Sequence, residues 1–407
     1  MKILLVNKFH YLRGGAERAY FDTASILTER GHSVAFFSMD HPLNQPTPWS
    51  KFFVSGVEYG ADGNMSLVQK LHAACRIIWN AEAYRKMLAI IDEFHPDVAH
   101  LHNIYHQLSP SILWALKKRR IPIVMTLHDY KLVSPNYSLF VRGKIWGHTS
   151  GWRCLFDRCV KDSFLKSFIC VIEKWLHDSI GSYGCVDMFI APSHFLADTF
   201  HEFGFSHEIR FVPQPVLLRS DMDDEEATNI GGDTHLYLGR LSVEKDVETL
   251  LRAFVMLPLE ESIDIVGDGP DRMRLESLAK ELGLSSRVHF LGTKSDEELL
   301  EKIKRSKSII IPSAWYENMP YVLLEALSFG KIVIAARIGG MSERITDGEN
   351  GFLFEPGDAR SLAEKISLLK EIDKERMVSY AKKSVSDISK EQYGETLEAL
   401  YEALITH

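Results

Sequence analysis

Two carboxylates stand eight residues apart in the run Trp315-Tyr316-Glu317-Asn318-Met319-Pro320-Tyr321-Val322-Leu323-Leu324-Glu325. Pro320 suits the first turn of a helix, which puts Glu317 on the loop before it and Glu325 on the second turn. The two acids can therefore reach one ligand from different sides. The backbone N–H groups of Asn318, Met319 and Tyr321 fall at the positive end of that helix, a natural seat for a diphosphate, and Pro320 has no N–H to add. Read alone, Glu325 is equally an ordinary solvated helix residue.

Cations fall at a matching place. Gly239-Arg240 follows the apolar run His235–Leu238, and Lys245 comes five residues after Arg240, ahead of a further helical segment. A guanidinium and an ammonium from one loop could hold a diphosphate and neutralise the charge that builds on a departing phosphate. A surface basic pair has the same spacing. Two glycine loops add close-approach backbone: Arg13-Gly14-Gly15-Ala16-Glu17 near the N-terminus, and Gly267-Asp268-Gly269-Pro270 after Ile263–Val266. Glycine lets the main chain come near a phosphate or sugar, and plain tight turns use the same residues. The first loop is not the G-x-G-x-x-G dinucleotide fingerprint. Asp221-Met222-Asp223 has the form of a metal-binding acid pair but lies in an acidic stretch with no buried strand before it, so no catalytic metal is expected.

The elements that must carry these residues alternate. Ile3–Val6, Val34–Phe37, Val98–Leu101, Ile123–Leu127 and Phe189–Ala191 read as buried strands, separated by helical patterns such as 16–30, ending before Gly31, and 108–120, ending before Pro122. The pattern restarts with His235–Leu238, Ile263–Val266, Val288–Leu291, Ile309–Ile311 and Ile332–Ala335. This is an α/β chain of two doubly wound, Rossmann-like domains with parallel sheets, and ligands of such sheets bind at the carboxyl ends of the strands, here in a cleft between the domains. The expected division is 1–214, a linker at 215–232, a second domain at 233–389, and a last helix at 390–407 that could pack back on the first domain. Pro213 to Gly232, with its prolines, acidic run and glycine pair, has a linker's composition.

Length and composition agree with that division. The 407 residues exceed what one core usually serves, and 45% hydrophobic with 25% charged residues excludes a disordered or repeat chain. No stretch is long and apolar enough to span a bilayer, and the apolar run after Lys2 is too short for a signal peptide, so a cytoplasmic enzyme is expected. Five cysteines, an odd number without a framework, fit free thiols in a reducing compartment. Residues 1–214 hold 23 Lys+Arg and 19 Asp+Glu, a balance of +4, leaving 24 and 36 of the totals of 47 and 55, or −12, for the rest. A basic half suggests an anionic partner such as a phospholipid surface or lipid-linked phosphate, with scatter in surface charge the other reading.

Taken in order, these motifs resemble glycosyltransferase family 4 of the GT-B fold, together with Thr126-Leu127-His128-Asp129-Tyr130, Ala191-Pro192-Ser193 and Asn350-Gly351. The resemblance implies a metal-independent transfer with retained anomeric configuration, in which the leaving phosphate oxygen takes the acceptor proton. It implies no cofactor, only a nucleotide diphosphate sugar (UDP- or GDP-sugar) as co-substrate, and no nucleic acid. Arg240 and Lys245 would grip the diphosphate, Glu325 the ribose hydroxyls and Glu317 the transferred sugar. Backbone at Gly15, Gly239, Gly267, Asn318, Met319 and Pro320 would complete the donor site. His128 would hydrogen-bond the donor sugar, and Asp129 would orient it or join Gly14 at the acceptor. Asn318-Met319-Pro320 departs from the family's small-aromatic-glycine pattern. The relatives' Cys-x2-Cys is absent, which leaves His148, Cys154 and Cys159 as either a zinc set or unligated side chains.

The expected acceptor is a saccharide or lipid-linked saccharide of surface polysaccharide assembly. Lys161, Lys166 and Lys174 interleave with Phe164, Leu165, Phe168, Ile169, Val171, Ile172, Trp175 and Leu176, which reads as an amphipathic segment for peripheral contact with an anionic membrane, or as a buried helix with snorkelling lysines. A nucleotide-sugar epimerase of the same fold and a non-catalytic assembly subunit are the competing functions.

Overall fold

The computed structural model describes residues 1–56, 76–148, 150–216, 232 and 234–406. The chain divides into two compact units. The first is Met1–Tyr137, His148–Pro215 and Lys390–His407; the second is Ser138–Gly147 and Val216–Ser389.

In the first unit six strands are all parallel: β1 (Lys2–Val6), β2 (Ser33–Phe37), β3 (Val98–Leu101), β4 (Ile123–Thr126), β7 (Met188–Ala191) and β8 (Ile209–Phe211), in the order β2-β1-β3-β4-β7-β8. Ile3 to Val6 are fully buried, as a strand covered by helices on both faces requires. The chain order reverses between β1 and β3, so the loops leaving these two strands diverge and open a crevice at their carboxyl ends. Hydrogen bonds fix that end. Lys8 N–H donates to the Asn103 carbonyl at 2.7 Å, and Asn103 N–H donates to Asn7 Oδ1 at 3.1 Å.

The second unit holds β9 (Thr234–Leu238), β10 (Ser262–Val266), β11 (Val288–Gly292), β12 (Ser306–Ile311), β13 (Val333–Ala336) and β14 (Gly351–Phe354), parallel in the order β11-β10-β9-β12-β13-β14. Here the reversal lies between β9 and β12. A two-stranded hairpin, β5 (Phe140–Val141) and β6 (Lys144–Ile145), groups with this unit although it departs from the chain of the first. Val216 N–H donates to the Ile388 carbonyl at 3.0 Å, so the second unit begins and ends side by side.

Several expectations need correction. The domain limits of 1–214 and 233–389 miss the excursion of Ser138–Gly147 into the second unit, which no change of composition announces. Most of the linker, with Asp221 to Asp223, lies outside the described residues. The helix expected over 108–120 spans only Ser111–Lys118: Ser109 turns the chain at φ 60° and Pro110 caps the helix. Strands β8 and β14 were not anticipated, because Ile-Arg-Phe is short and interrupted by charge and Gly351 reads as a turn. Cys154 and Cys159 form a disulfide and are therefore neither free thiols nor zinc ligands with His148, whose carbonyl receives the Ser134 hydroxyl. Cys170 and Cys185 are free and buried. Among the described residues no helix is long and apolar enough to cross a membrane.

Candidate functional site

The second unit brings several of the expected residues to the point where its strand order reverses. Gly239 and Arg240 leave β9, the turn Val243–Lys245 follows, and Ser313 to Glu317 leave β12, its neighbour. Ala314 N–H donates to the Glu244 carbonyl at 3.0 Å and joins the two loops. Lys245 Nζ then meets Glu317 Oε1 at 2.5 Å, and the Ser313 hydroxyl donates to the same oxygen at 2.7 Å. Burial opposes ionisation of Glu317, but the Lys245 ammonium and the Ser313 hydroxyl outweigh it and hold the carboxyl below its ordinary range. Lys245 also lies over the Trp315 ring, 5.5 Å from its centre. Ser313 is missing from the sequence reading and Trp315 appears there only as the start of the run, without a role; Ser313 carried one signal, its place just after a buried apolar strand.

Arg240 is exposed, its carbonyl receiving the Tyr237 hydroxyl at 2.9 Å. The helix Tyr321–Ser328 begins after Pro320, with Glu325 half-buried on its second turn. Asn318 is half-buried, whereas Met319 is a core side chain, so only its backbone could serve a ligand. Gly239 and Gly267 do something the sequence did not suggest. A Cβ on Gly267 would stand 1.9 Å from the Gly239 carbonyl oxygen, and both residues have positive φ, 137° and 157°. Their smallness presses the loops after β9 and β10 together. A cavity of about 410 Å³ adjoins them, bordered by Ser242, Asp246, Asp271, Arg274 and hairpin residues Gly143 to Ile145; it does not include Lys245 or Glu317.

In the first unit, Gly14 and Gly15 start the helix Gly15–Glu29, whose buried Glu17 lies 3.5 Å from Asn7 Nδ2. His128 and Asp129 follow β4. His128 Nε2 is 2.9 Å from His102 Nδ1, and the rings of His100, His102 and His128 stack in series with centres 4.7 and 5.1 Å apart. Burial, with neighbouring imidazoles and Lys8, depresses all three, His100 and His128 to about 3. Asp129 Oδ1 accepts the backbone N–H of Lys131 at 2.9 Å, and Lys131 Nζ pairs with buried Glu173 at 2.7 Å. His106 Nε2 is 3.3 Å from Glu173, and with Cys170 these form a three-residue donor set, already holding the Lys131 ammonium. Lys174, expected at a membrane face, instead donates to the Leu132 carbonyl and to Asp178, both at 2.8 Å. Lys8, His100, His102, Lys131 and Glu173 carry no signal in the sequence, since single polar residues near strand ends or, for Glu173, within a helix have no spacing to mark them.

With this geometry in place, the match to known proteins is decisive. Residues 13–218, half of the chain, match the model described as Glycosyltransferase Family 4, and residues 220–384 match Glycosyl transferases group 1. The chain belongs to glycosyltransferase family 4. An uncharacterised 42.6 kDa protein of the cps region of Klebsiella pneumoniae is 25% identical over 84% of this chain and 87% of its own length. The D-inositol 3-phosphate glycosyltransferase of Corynebacterium urealyticum is 33% identical over 42% of this chain, which spans only 43% of that relative. The fold of this family 4 chain is GT-B. Sucrose-phosphate synthase of Thermosynechococcus elongatus superposes with TM-score 0.71 at 19% identity, covering 100% of this chain and 99% of that one. HepE of Anabaena, solved with UDP-glucose, gives 0.64 at 20%, covering 99% and 100%.

Proposed function

We propose that this family 4 enzyme transfers a sugar, with retention of anomeric configuration and without a metal, from a UDP- or GDP-sugar to a saccharide or lipid-linked saccharide of surface polysaccharide. The observation that carries the reading is the meeting of Lys245 with Glu317 where the loops after β9 and β12 diverge; Arg240 lies on the first of these loops, and the Glu325 helix follows the second. In this role Arg240 and Lys245 hold the diphosphate and take up charge as the donor bond breaks, and Glu325 accepts the ribose hydroxyls. Glu317 fixes the Lys245 ammonium, so its part in catalysis includes positioning a cation as well as meeting sugar. The leaving phosphate oxygen takes the acceptor proton. The cps-region relative and the neighbour solved with UDP-glucose support the polysaccharide context and the donor class.

The test begins with a thermal-shift screen of UDP-, GDP- and ADP-sugars, where a bound donor raises the melting temperature by mass action. Transfer with the active donor should persist in EDTA, give a product of unchanged anomeric configuration by NMR, and fall about 100-fold or more in kcat/KM in Lys245→Ala. An inverted product refutes retention. Full activity in Lys245→Ala refutes the site.

A further inference from the structure

The helix Phe164–Ser179 has its polar side turned inward. Its buried residues include Ser167, Cys170, Glu173 and His177, which share one side at about 100° per residue. The opposite side carries Phe164, Leu165, Phe168 and Trp175, exposed by 58, 63, 42 and 64%. The inward polar side chains each have a partner: Glu173 pairs with Lys131, His177 Nδ1 lies 3.1 Å from the Ser182 hydroxyl, and Ser167 accepts the Val160 N–H at 3.1 Å. The outward apolar side is what remains to be covered.

A second helix extends it. Gly151–Asp157 exposes Trp152 and Phe156, four apart, by 76 and 84%. A Cβ on Gly151 would come within 2.8 Å of Val171, which sits on the long helix between Phe168 and Trp175, so the two helices join beside the apolar side. Large aromatics bury about 150–250 Å² each, and a patch of this size marks an interaction surface. Cations border it. Over residues 151–162 there are Arg153, Arg158 and Lys161 against Asp157 and Asp162, three against two or +1, in a chain of net charge −8, while Lys166 falls on the inward side of the long helix with Cys170 and Glu173.

We propose that the exposed side of these two helices docks the enzyme on an anionic phospholipid surface, with the aromatic rings at the headgroup boundary and the cations against lipid phosphates. Tryptophan, phenylalanine and leucine mixed with lysine and arginine suit an interface that is apolar on one side and wet and negative on the other. A second copy fits less well, because a two-fold contact would bring the same cations face to face. The inference rests on the lipid-linked acceptor reading in one respect. The inward side of the same helix grips Lys131 and the Leu132 carbonyl, just past Asp129, so a docked helix would set the proposed acceptor loop next to the lipid.

The experiment is sedimentation of the full chain with vesicles of phosphatidylcholine alone and of phosphatidylcholine mixed with phosphatidylglycerol, at low and high salt. Binding is expected to the mixed vesicles at low salt, to weaken with salt, and to fall roughly tenfold or more in Phe164→Ser/Trp175→Ser. Both positions are exposed, so an unchanged melting temperature verifies that the variant folds. No binding to mixed vesicles overturns the proposal. So does undiminished binding by the double variant, or a light-scattering dimer that the variant turns to monomer without vesicle binding. Donor stabilisation and transfer to a water-soluble acceptor are read separately, so failure here is distinct from failure of the glycosyltransferase reading.

Discussion

His102 and His128 share a hydrogen bond between ring nitrogens 2.9 Å apart, which requires one to donate and the other to accept. A proton on both would destroy it. His100 is held on each side by hydroxyls, Thr126 and Tyr401, both at 2.6 Å. Burial is the main reason these rings stay neutral, and it lowers His100 and His128 from 6.5 to about 3. The unfolded chain therefore binds more protons than the fold between pH 6.5 and 3. Stability from the stack is complete above 6.5 and is lost as the pH falls toward 3. Each ring contributes at most about 1.4 kcal/mol per pH unit in that window. Denaturant titrations from pH 7 to 4.5 should show this slope, and His102→Phe should flatten it by up to one proton's worth whatever it does to the stability at pH 7. A slope unchanged in that variant would show that His102 is not a neutral member of the stack.

Loops after strands were read from the sequence as ligand loops, and at Gly267 the element has a prior demand. Gly239 N–H donates to the Val266 carbonyl at 3.1 Å and Leu241 N–H to the Asp268 carbonyl at 3.0 Å, so the turns after β9 and β10 are bonded to one another. Alanine at 267 would need a left-handed φ and would drive its methyl into the Gly239 carbonyl. The neighbour is backbone and cannot swing away. Gly267→Ala should cost about 3 kcal/mol, read as a lowered midpoint in urea, with donor affinity falling because the Arg240 loop moves. Normal stability in that variant would show that the close approach is not needed. What was legible at this scale follows from the signals involved. Buried strands such as Ile3–Val6 and Ile309–Ile311 announce themselves as apolar runs, and the Glu317–Glu325 spacing carries a motif. Glycines that fit backbone to backbone look the same as glycines that admit a phosphate, and Lys131 with Glu173 meets across 42 positions with no local pattern.

At the scale of the whole chain, the last helix, Lys390–Ile405, belongs to the unit that the chain left near residue 215. Its contacts are specific. Leu397 and Tyr401 are fully buried, the Tyr401 hydroxyl meets His100, the Tyr393 hydroxyl meets Thr23 at 2.8 Å, and Glu398 receives Arg30 at 2.6 Å. Gly394 packs where a Cβ would strike the Arg30 side chain at 2.5 Å. Burial of Leu397 and Tyr401 alone is worth about 1.5–3 kcal/mol each, a large part of the margin of one unit. A chain ending at Ser389 should therefore lose the first unit's stability while keeping the second unit's core, because Ile388 and its bond to Val216 remain. Limited proteolysis should then cut within 1–215 and spare a fragment near 216–389, and donor binding, if it resides in the second unit, should outlast transfer. The single substitution Tyr401→Ala tests the same dependence without shortening the chain: it leaves His100 Nδ1 without its hydroxyl partner, Thr126 still holding Nε2, and should lower the first unit's melting point by several degrees. A truncated chain that melts like the full one would show that the returning helix is an appendage and not part of the first unit's core.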